Sequence, residues 1–372
     1  MPLRRFALAA GVAAVVSVSI ASFPSGMAAD PAAIKDAIAK GSAYLLEQGQ
    51  ADDGSFSSQG GPAITALAVA GLVKSGTPAE SQAVQKAIAY LLSFKQPDGG
   101  IHPPESLVSN YETAIAMMAL AACNVGGNYD ADIKAAESFV KGLQWDDGEG
   151  PGPSDPAYGG AGYGKKNRPD LSNTSFLIEA LRSVGTPDDD PAIQRALVFV
   201  SRTQNLEGPH NTLPFAAKNP DGGFYYTPAA GGESQAGSLP NGGLRSYGSM
   251  TYAGLKSMIF AGLSKDDPRV KAAVAWLGKN YSFEQNPGMG DAGLYYYFHT
   301  AAKALDVFGN ETFSDEKGVS HVWRSELADA VIKRQQADGS WINANPRWME
   351  GDPNLVTAYA LLALSYCIKE SL

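Results

Sequence analysis

The chain has 372 residues, 44% of them hydrophobic, a formal net charge of −9 and two cysteines. That apolar content over that length suffices to bury a large core. The acidic balance, with no basic stripe to offset it, repels phosphate backbones and argues against nucleic acid as a partner.

The first thirty residues stand apart. Arg4-Arg5 precede a charge-free apolar segment over 6–23, followed by Pro24-Ser25-Gly26-Met27-Ala28-Ala29, the three-part plan of a secretory signal peptide. Cleavage after Ala28 or Ala29 leaves small residues where a signal peptidase reads. The expectation is a signal peptide over 1–29 and a periplasmic or extracellular domain over 30–372. An uncleaved anchor is the competing reading, on a segment barely long enough to span a bilayer. No other stretch is apolar for long enough, so the mature chain carries no membrane span.

From residue 30 onward the chain repeats six times, which is the signature of stacked supersecondary units. Each repeat begins with an amphipathic stretch, over 34–47, 81–94, 131–143, 191–203, 268–279 and 322–335. In the second of these Val84, Ile88, Leu91 and Leu92 recur at helical spacing while Gln85 and Lys86 face away. Each repeat then continues into a stretch that is apolar almost all round, opened by Thr65, Thr113, Thr174, Thr251, Thr300 and Thr357. Helices with one wet face belong outside and helices with none must be enclosed. The fold expected is all-α: a single (α/α)6 toroid of six helical hairpins, its inner helices parallel and their N-terminal ends gathered at one mouth. Each threonine is expected to be an N-cap or first-turn residue whose hydroxyl serves a free backbone N–H.

Turns between outer and inner helices are read at Asp53-Gly54, Asp98-Gly99, Asp147-Gly148, Asp221-Gly222 and Asp338-Gly339, where Gly takes left-handed backbone angles and Asp bonds to the turn. The fifth repeat departs from this, with Asn286-Pro287-Gly288-Met289-Gly290-Asp291. Long insertions over 146–170 and 205–248 precede the third and fourth inner helices. Two long loops therefore sit at the mouth, where such loops act as lids or binding surfaces. In this ring Cys123 and Cys367 fall on inner helices two and six, about 17 Å apart at usual helix spacings, so they do not form a disulfide.

Gln335-Gln336-Ala337-Asp338-Gly339-Ser340-Trp341 resembles the Gln-Trp motif of squalene and oxidosqualene cyclases. Weaker copies run from Lys40-Gly41 through Tyr44-Leu45 to Gly54-Ser55-Phe56, and from Lys86-Ala87 through Tyr90-Leu91 to Gly99-Gly100-Ile101. At repeat level the whole mature chain is similar to the superfamily of terpene cyclases and protein prenyltransferase β subunits, and the resemblance implies their α/α toroid. Their catalytic signatures are missing. The Asp-x-Asp-Asp of squalene-hopene cyclases is absent, and the matching turn, Asp221-Gly222-Gly223-Phe224, leads into Tyr225-Tyr226-Thr227. Phe298-His299-Thr300 looks like the zinc-binding His of prenyltransferases, but its Asp-x-Cys partner is replaced by Arg245-Ser246-Tyr247. No metal site or cofactor is therefore expected.

Within the ring the residue before each repeat Thr is polar in three repeats: Glu112, Asn173 and His299. Glu112 and His299 are the acid and base candidates by residue type, against the plainer reading that they cap their own helices. Asn173, with Tyr111, Tyr225, Tyr226, Tyr247 and Tyr297 on the same side, make up the candidate ligand-binding set. Aromatic faces there stabilise cations or stack on sugar rings. Six helix N-termini at one opening also predict a preference for an anionic headgroup, with Lys165, Lys166, Arg168 and Arg245 on the insertions. Glu179, Lys256 and Lys303, inside inner helices, each need a partner. Several functions stay open: an exported enzyme acting on an apolar or isoprenoid-like ligand, a non-catalytic toroid binding lipid, glycan or protein, and a polysaccharide-active enzyme. Oligomeric state is not readable from the sequence.

Overall fold

The computed structural model describes residues 30–148, 152–165 and 167–368; the expected signal peptide and Lys166 lie outside them. Six hairpins follow one another. They are α1 (Pro31–Tyr44) with α2 (Pro62–Lys74), α3 (Gln82–Leu92) with α4 (Ser109–Ala122), and α5 (Asp130–Gly142) with α6 (Leu171–Ser183). Then come α7 (Pro191–Arg202), a short α8 (Pro214–Lys218) and α9 (Gly248–Phe260), α10 (Pro268–Lys279) with α11 (Leu294–Phe308), and α12 (Trp323–Ile332) with α13 (Pro353–Ser365). A two-residue hairpin, β1 (Phe313–Ser314) with β2 (Ser320–His321), is the sheet among the described residues. No described helix is long and apolar enough to cross a membrane.

The starts of several helices are written locally. Asp30-Pro31, Asp190-Pro191, Asp267-Pro268 and Asp352-Pro353 each place an Asp at the N-cap, accepting a first-turn N–H, before a Pro at the first helical position. The inner helices α2, α4, α6, α9, α11 and α13 are buried over most of their length. They pack in that order, and the ring closes where α13 meets α2. Outer helices bury a single stripe, such as Val84, Ala87, Ile88 and Leu91 of α3. This is the (α/α)6 toroid expected from the repeat.

One device joins four of the six repeats to the next. The Gln before the turn donates to the turn glycine's own carbonyl and to the next repeat's outer helix: Gln50 to Gly54 and Ala83, Gln144 to Gly159 and Ala192, Gln204 to Gly222 and Arg269. Gln335 does the same to Gly339 and, across the ring closure, to Ala37 of α1. The glycines at 54, 99 and 339 have φ near +90° and lie so close to the following outer helix that a Cβ would stand 2.5–2.6 Å from a backbone oxygen. No side chain fits there in any rotamer.

Two expectations need correcting. The repeat threonines do not open their helices; Thr65 is the fourth residue of α2 and Thr357 the fifth of α13. Their hydroxyls accept the N–H of the turn's last residue instead, Phe56, Ile101, Ala161, Phe224 and Trp341 in five repeats, at 2.9–3.1 Å. In the third repeat the turn is not Asp147-Gly148 but Gly159-Gly160, since Gly159 (φ +82°) is the one lying against α7 at Arg195. The insertion therefore precedes the turn there instead of following it. Cys123 and Cys367 are buried and free.

Candidate functional site

At the mouth, the first turns of the inner helices and the loops before them enclose a cavity of about 300 Å³. Ala63 and Ile64 of α2, Tyr111 and Glu112 of α4, Ser172 and Phe176 of α6, Ser249 and Met250 of α9, Tyr296 of α11, and Leu355 and Tyr359 of α13 line it. The loops add Gly60, Val108, Tyr163, Tyr226, Gln235, Tyr247, Trp348, Met349 and Glu350. Eight of these residues are aromatic. Several form a continuous run of edge and tilted ring contacts, from Tyr163 to Tyr111, Phe176, Tyr296 and Tyr359, with centroids 5.4–6.1 Å apart.

Two carboxyls face this apolar space. Glu112 is 3% exposed; its Oε2 accepts from Ser106 Oγ at 2.5 Å and its Oε1 lies against Gly61. Burial raises its pKa, opposed by the Ser106 bond. Glu350 is 1% exposed and serves as a long-range cap for α11, accepting the N–H groups of Tyr295 and Tyr296 and the amide of Asn343. Its pKa is also raised by burial, against those same donors. Glu350 follows Trp348 and Met349, two consecutive non-glycine residues at φ +55° and +64°, a backbone conformation costing roughly 1–3 kcal/mol per residue.

The structure divides the candidate residues. Glu112, Tyr111, Tyr226 and Tyr247 stand in the lining; His299, Asn173, Tyr225 and Tyr297 do not. Tyr225 donates its hydroxyl to the carbonyl of Arg202, and Tyr297 donates to that of Ser282, so both fasten loops to helices. Asn173 donates to Asp170, the N-cap of α6, whose carboxyl burial pushes up to about 6. His299 lies deeper, stacked on Tyr359 at 5.7 Å, with Nδ1 lacking a hydrogen-bond partner among the described residues. Burial drives it down to about 3, with Lys256 and Lys303 adding to the effect and Glu179 opposing it, so the ring is neutral.

Beneath the cavity, Lys256 and Lys303 both donate to Glu179, on carboxylate oxygens Oε2 and Oε1. Burial alone would raise the Glu179 pKa, but the two ammoniums hold it well below the carboxylate range. At the far rim an open depression of about 1630 Å³ is lined by Lys74, Asp306, Arg324 and Tyr366 among others.

The expected anion preference of the mouth is not met. No Lys or Arg is among the cavity-lining residues. Arg168 is paired with Glu233 at 2.6 Å, and Arg245 donates to the carbonyl of Ser238. Three of the inner-helix N-termini are already occupied by carboxylates, α6 by Asp170, α11 by Glu350 and α13 by Asp352, while α2 and α4 have no side-chain cap. Sequence reasoning missed Glu350, which belongs to a loop outside the repeat pattern. Its one signal was the acidic residue two positions before the Asp352-Pro353 cap.

Residues 42–227 match the family described as Squalene-hopene cyclase C-terminal domain. No curated protein matches the sequence. Among solved structures, the type II terpene cyclase MstE from Scytonema (apo) is similar at a TM-score of 0.56 and 14% identity, over 90% of this chain and 98% of that one. A family 76 glycoside hydrolase from a bovine Bacteroides thetaiotaomicron strain reaches 0.57 at 11% identity, over 89% and 77%. A family 76 mannosidase from Bacteroides thetaiotaomicron VPI-5482 reaches 0.55 at 11% identity, over 89% and 98%. These likenesses show a shared toroid and nothing about chemistry. With its closed ring of six hairpins, its Gln-to-next-helix ties and the family match over half its length, the chain belongs to the squalene-hopene cyclase C-terminal domain family, within the terpene-cyclase-like α/α toroids.

Proposed function

We propose that this is an exported protein whose mouth cavity binds an apolar, isoprenoid-like ligand and presents Glu112 to it as a proton donor. The observation that carries this reading is the cavity itself, about 300 Å³ with eight aromatic residues and two buried carboxyls among its lining. Such a space takes up hydrocarbon at about 25 cal/mol per Å² of apolar surface removed from water. A glycan would strip its hydroxyls of water there with few polar partners in return.

Of the two carboxyls, Glu350 is committed to the N-terminus of α11, while Glu112 gives one oxygen to Ser106 and keeps the other toward Gly61. Burial favours its protonated form. In the reaction class this supports, the proton of Glu112 adds to an alkene carbon of the ligand and the alkene π pair forms the new C–H bond. The cation left on the neighbouring carbon faces the tyrosine and phenylalanine rings. The Glu112 carboxylate takes a proton back from a carbon beside the cation, whose C–H pair becomes a new double bond, so the product is an isomer of the substrate and the acid is regenerated. His299 takes no part, since it lies outside the lining. The solved structure of MstE with geranylgeranyl dihydroxybenzoate, its substrate, shows one protein of this fold holding a prenylated molecule.

The test is native mass spectrometry of the exported protein for co-purifying ligand, followed by incubation with isoprenoid alcohols and chromatographic analysis of the isomers formed. Glu112→Gln is expected to keep binding within about threefold and to abolish isomer formation. Absence of any apolar ligand, bound or added, would remove this reading. N-terminal sequencing of the exported protein should begin at Ala29 or Asp30.

A further inference from the structure

Resting on the apolar-ligand reading above, we propose that the mouth cavity holds a hydrocarbon chain of about ten carbons, two isoprene units, and that Phe176 and Tyr359 form the floor that sets this length. The cavity is shallow. Its wall residues come from the first turn of each inner helix, such as Ile64, Met250, Tyr296 and Leu355, whereas Phe176 is the sixth residue of α6 and Tyr359 the seventh of α13. At 1.5 Å of rise per residue these two lie about 8 to 9 Å in from the helix starts. An apolar cavity of roughly 150 Å³ takes up one benzene, six carbons, so a volume of about 300 Å³ accommodates about ten to twelve carbons.

The floor is fixed because of what lies under it. The Lys256 ammonium is 6.0 Å from the Phe176 ring, and Lys256 and Lys303 share the Glu179 carboxylate. The His299 ring stacks on the inner side of the ring run at Tyr359. A longer chain pushing inward would have to displace a buried, hydrogen-bonded charge cluster, which apolar contact does not compensate. It must instead extend outward past Trp348 and Met349, which are 44% and 45% exposed. Carbons there leave water only in part and add little affinity.

Dissociation constants for acyclic prenyl alcohols of about 5, 10, 15 and 20 carbons, measured by tryptophan fluorescence and checked by calorimetry, read this directly. Each fully buried carbon is worth roughly fourfold. Affinity is expected to rise at least about a hundredfold from 5 to 10 carbons and by less than about threefold for each further 5. Ser172→Leu, which adds bulk at the half-buried wall, should weaken the 10-carbon alcohol at least about tenfold and leave the 5-carbon one within about threefold. Phe176→Ala should move the break to a longer chain. A continuing steep rise through 15 and 20 carbons would overturn the assigned length while leaving the apolar-ligand reading standing. No binding at any length would overturn both, and an unchanged break in a folded Ser172→Leu would overturn the length assignment.

Discussion

Glu179 is one carboxylate serving two ammoniums inside the ring, so the buried cluster it anchors carries a net positive charge. His299 is held neutral beside it, and that neutrality couples to stability. Its pKa falls from an ordinary 6.5 to about 3 on folding, so the unfolded chain takes up a proton that the folded one refuses. The stability contributed is complete above about pH 6.5 and is lost as pH drops toward 3. Between pH 7 and 5 the loss from this group amounts to about 2 kcal/mol. Urea unfolding at both pH values should show that extra loss in the wild type and not in His299→Gln; equal losses in both would contradict the assignment. The sequence placed His299 level with Glu112 because each precedes its repeat Thr. In the structure Glu112, the fourth residue of α4, lines the cavity, whereas His299, the sixth of α11, stacks on Tyr359 outside the lining, so the shared place before Thr does not give a shared direction. Adjacent tyrosines escaped for a similar reason. Tyr225 and Tyr226 lie in a loop, where one fastens to Arg202 and the other lines the cavity, and Tyr296 and Tyr297 lie on a helix, where neighbouring side chains diverge; composition alone does not say which one faces in.

Among the elements, the tie between successive repeats carries the architecture: a Gln that reaches forward, a left-handed Gly in backbone contact, and a Thr hydroxyl that holds the turn's end. Its cost of disruption is position-specific. Gly339→Ala places a methyl group 2.5 Å from the Lys40 carbonyl oxygen at φ +91°, whereas Gly76, at φ +99°, has open space around its missing Cβ. The first substitution should cost about 3 kcal/mol or more and the second about 1 kcal/mol, that of left-handed backbone alone. Chemical denaturation of the two variants checks the difference, and equal losses would mean that backbone contact with α1 contributes nothing. The repeat Thr, the Asp-Gly turns and the apolar periodicity are what made the hairpins legible in the sequence. The third turn was misplaced because Asp147-Gly148 satisfies local turn chemistry, while the choice of Gly159 is made by contact with α7, a partner far along the chain.

For the molecule as a whole, closure is the governing fact. α13 packs on α2, Gln335 bonds Ala37, and Ser57 donates to Asp352 at 2.9 Å, so the ends of the chain hold each other. A ring with no terminal repeat should unfold in one step. Far-UV circular dichroism and tryptophan fluorescence are expected to give coincident urea transitions; two separated midpoints would show that it opens in parts. The salt-bridged cluster around Glu179 stands between the mouth and the depression on the other side. The barrel is therefore a cup, not a tunnel. On the function proposed above, whatever enters must leave by the way it came, past Trp348 and Met349, so a spent occupant bars its successor, and inhibition by product should be competitive.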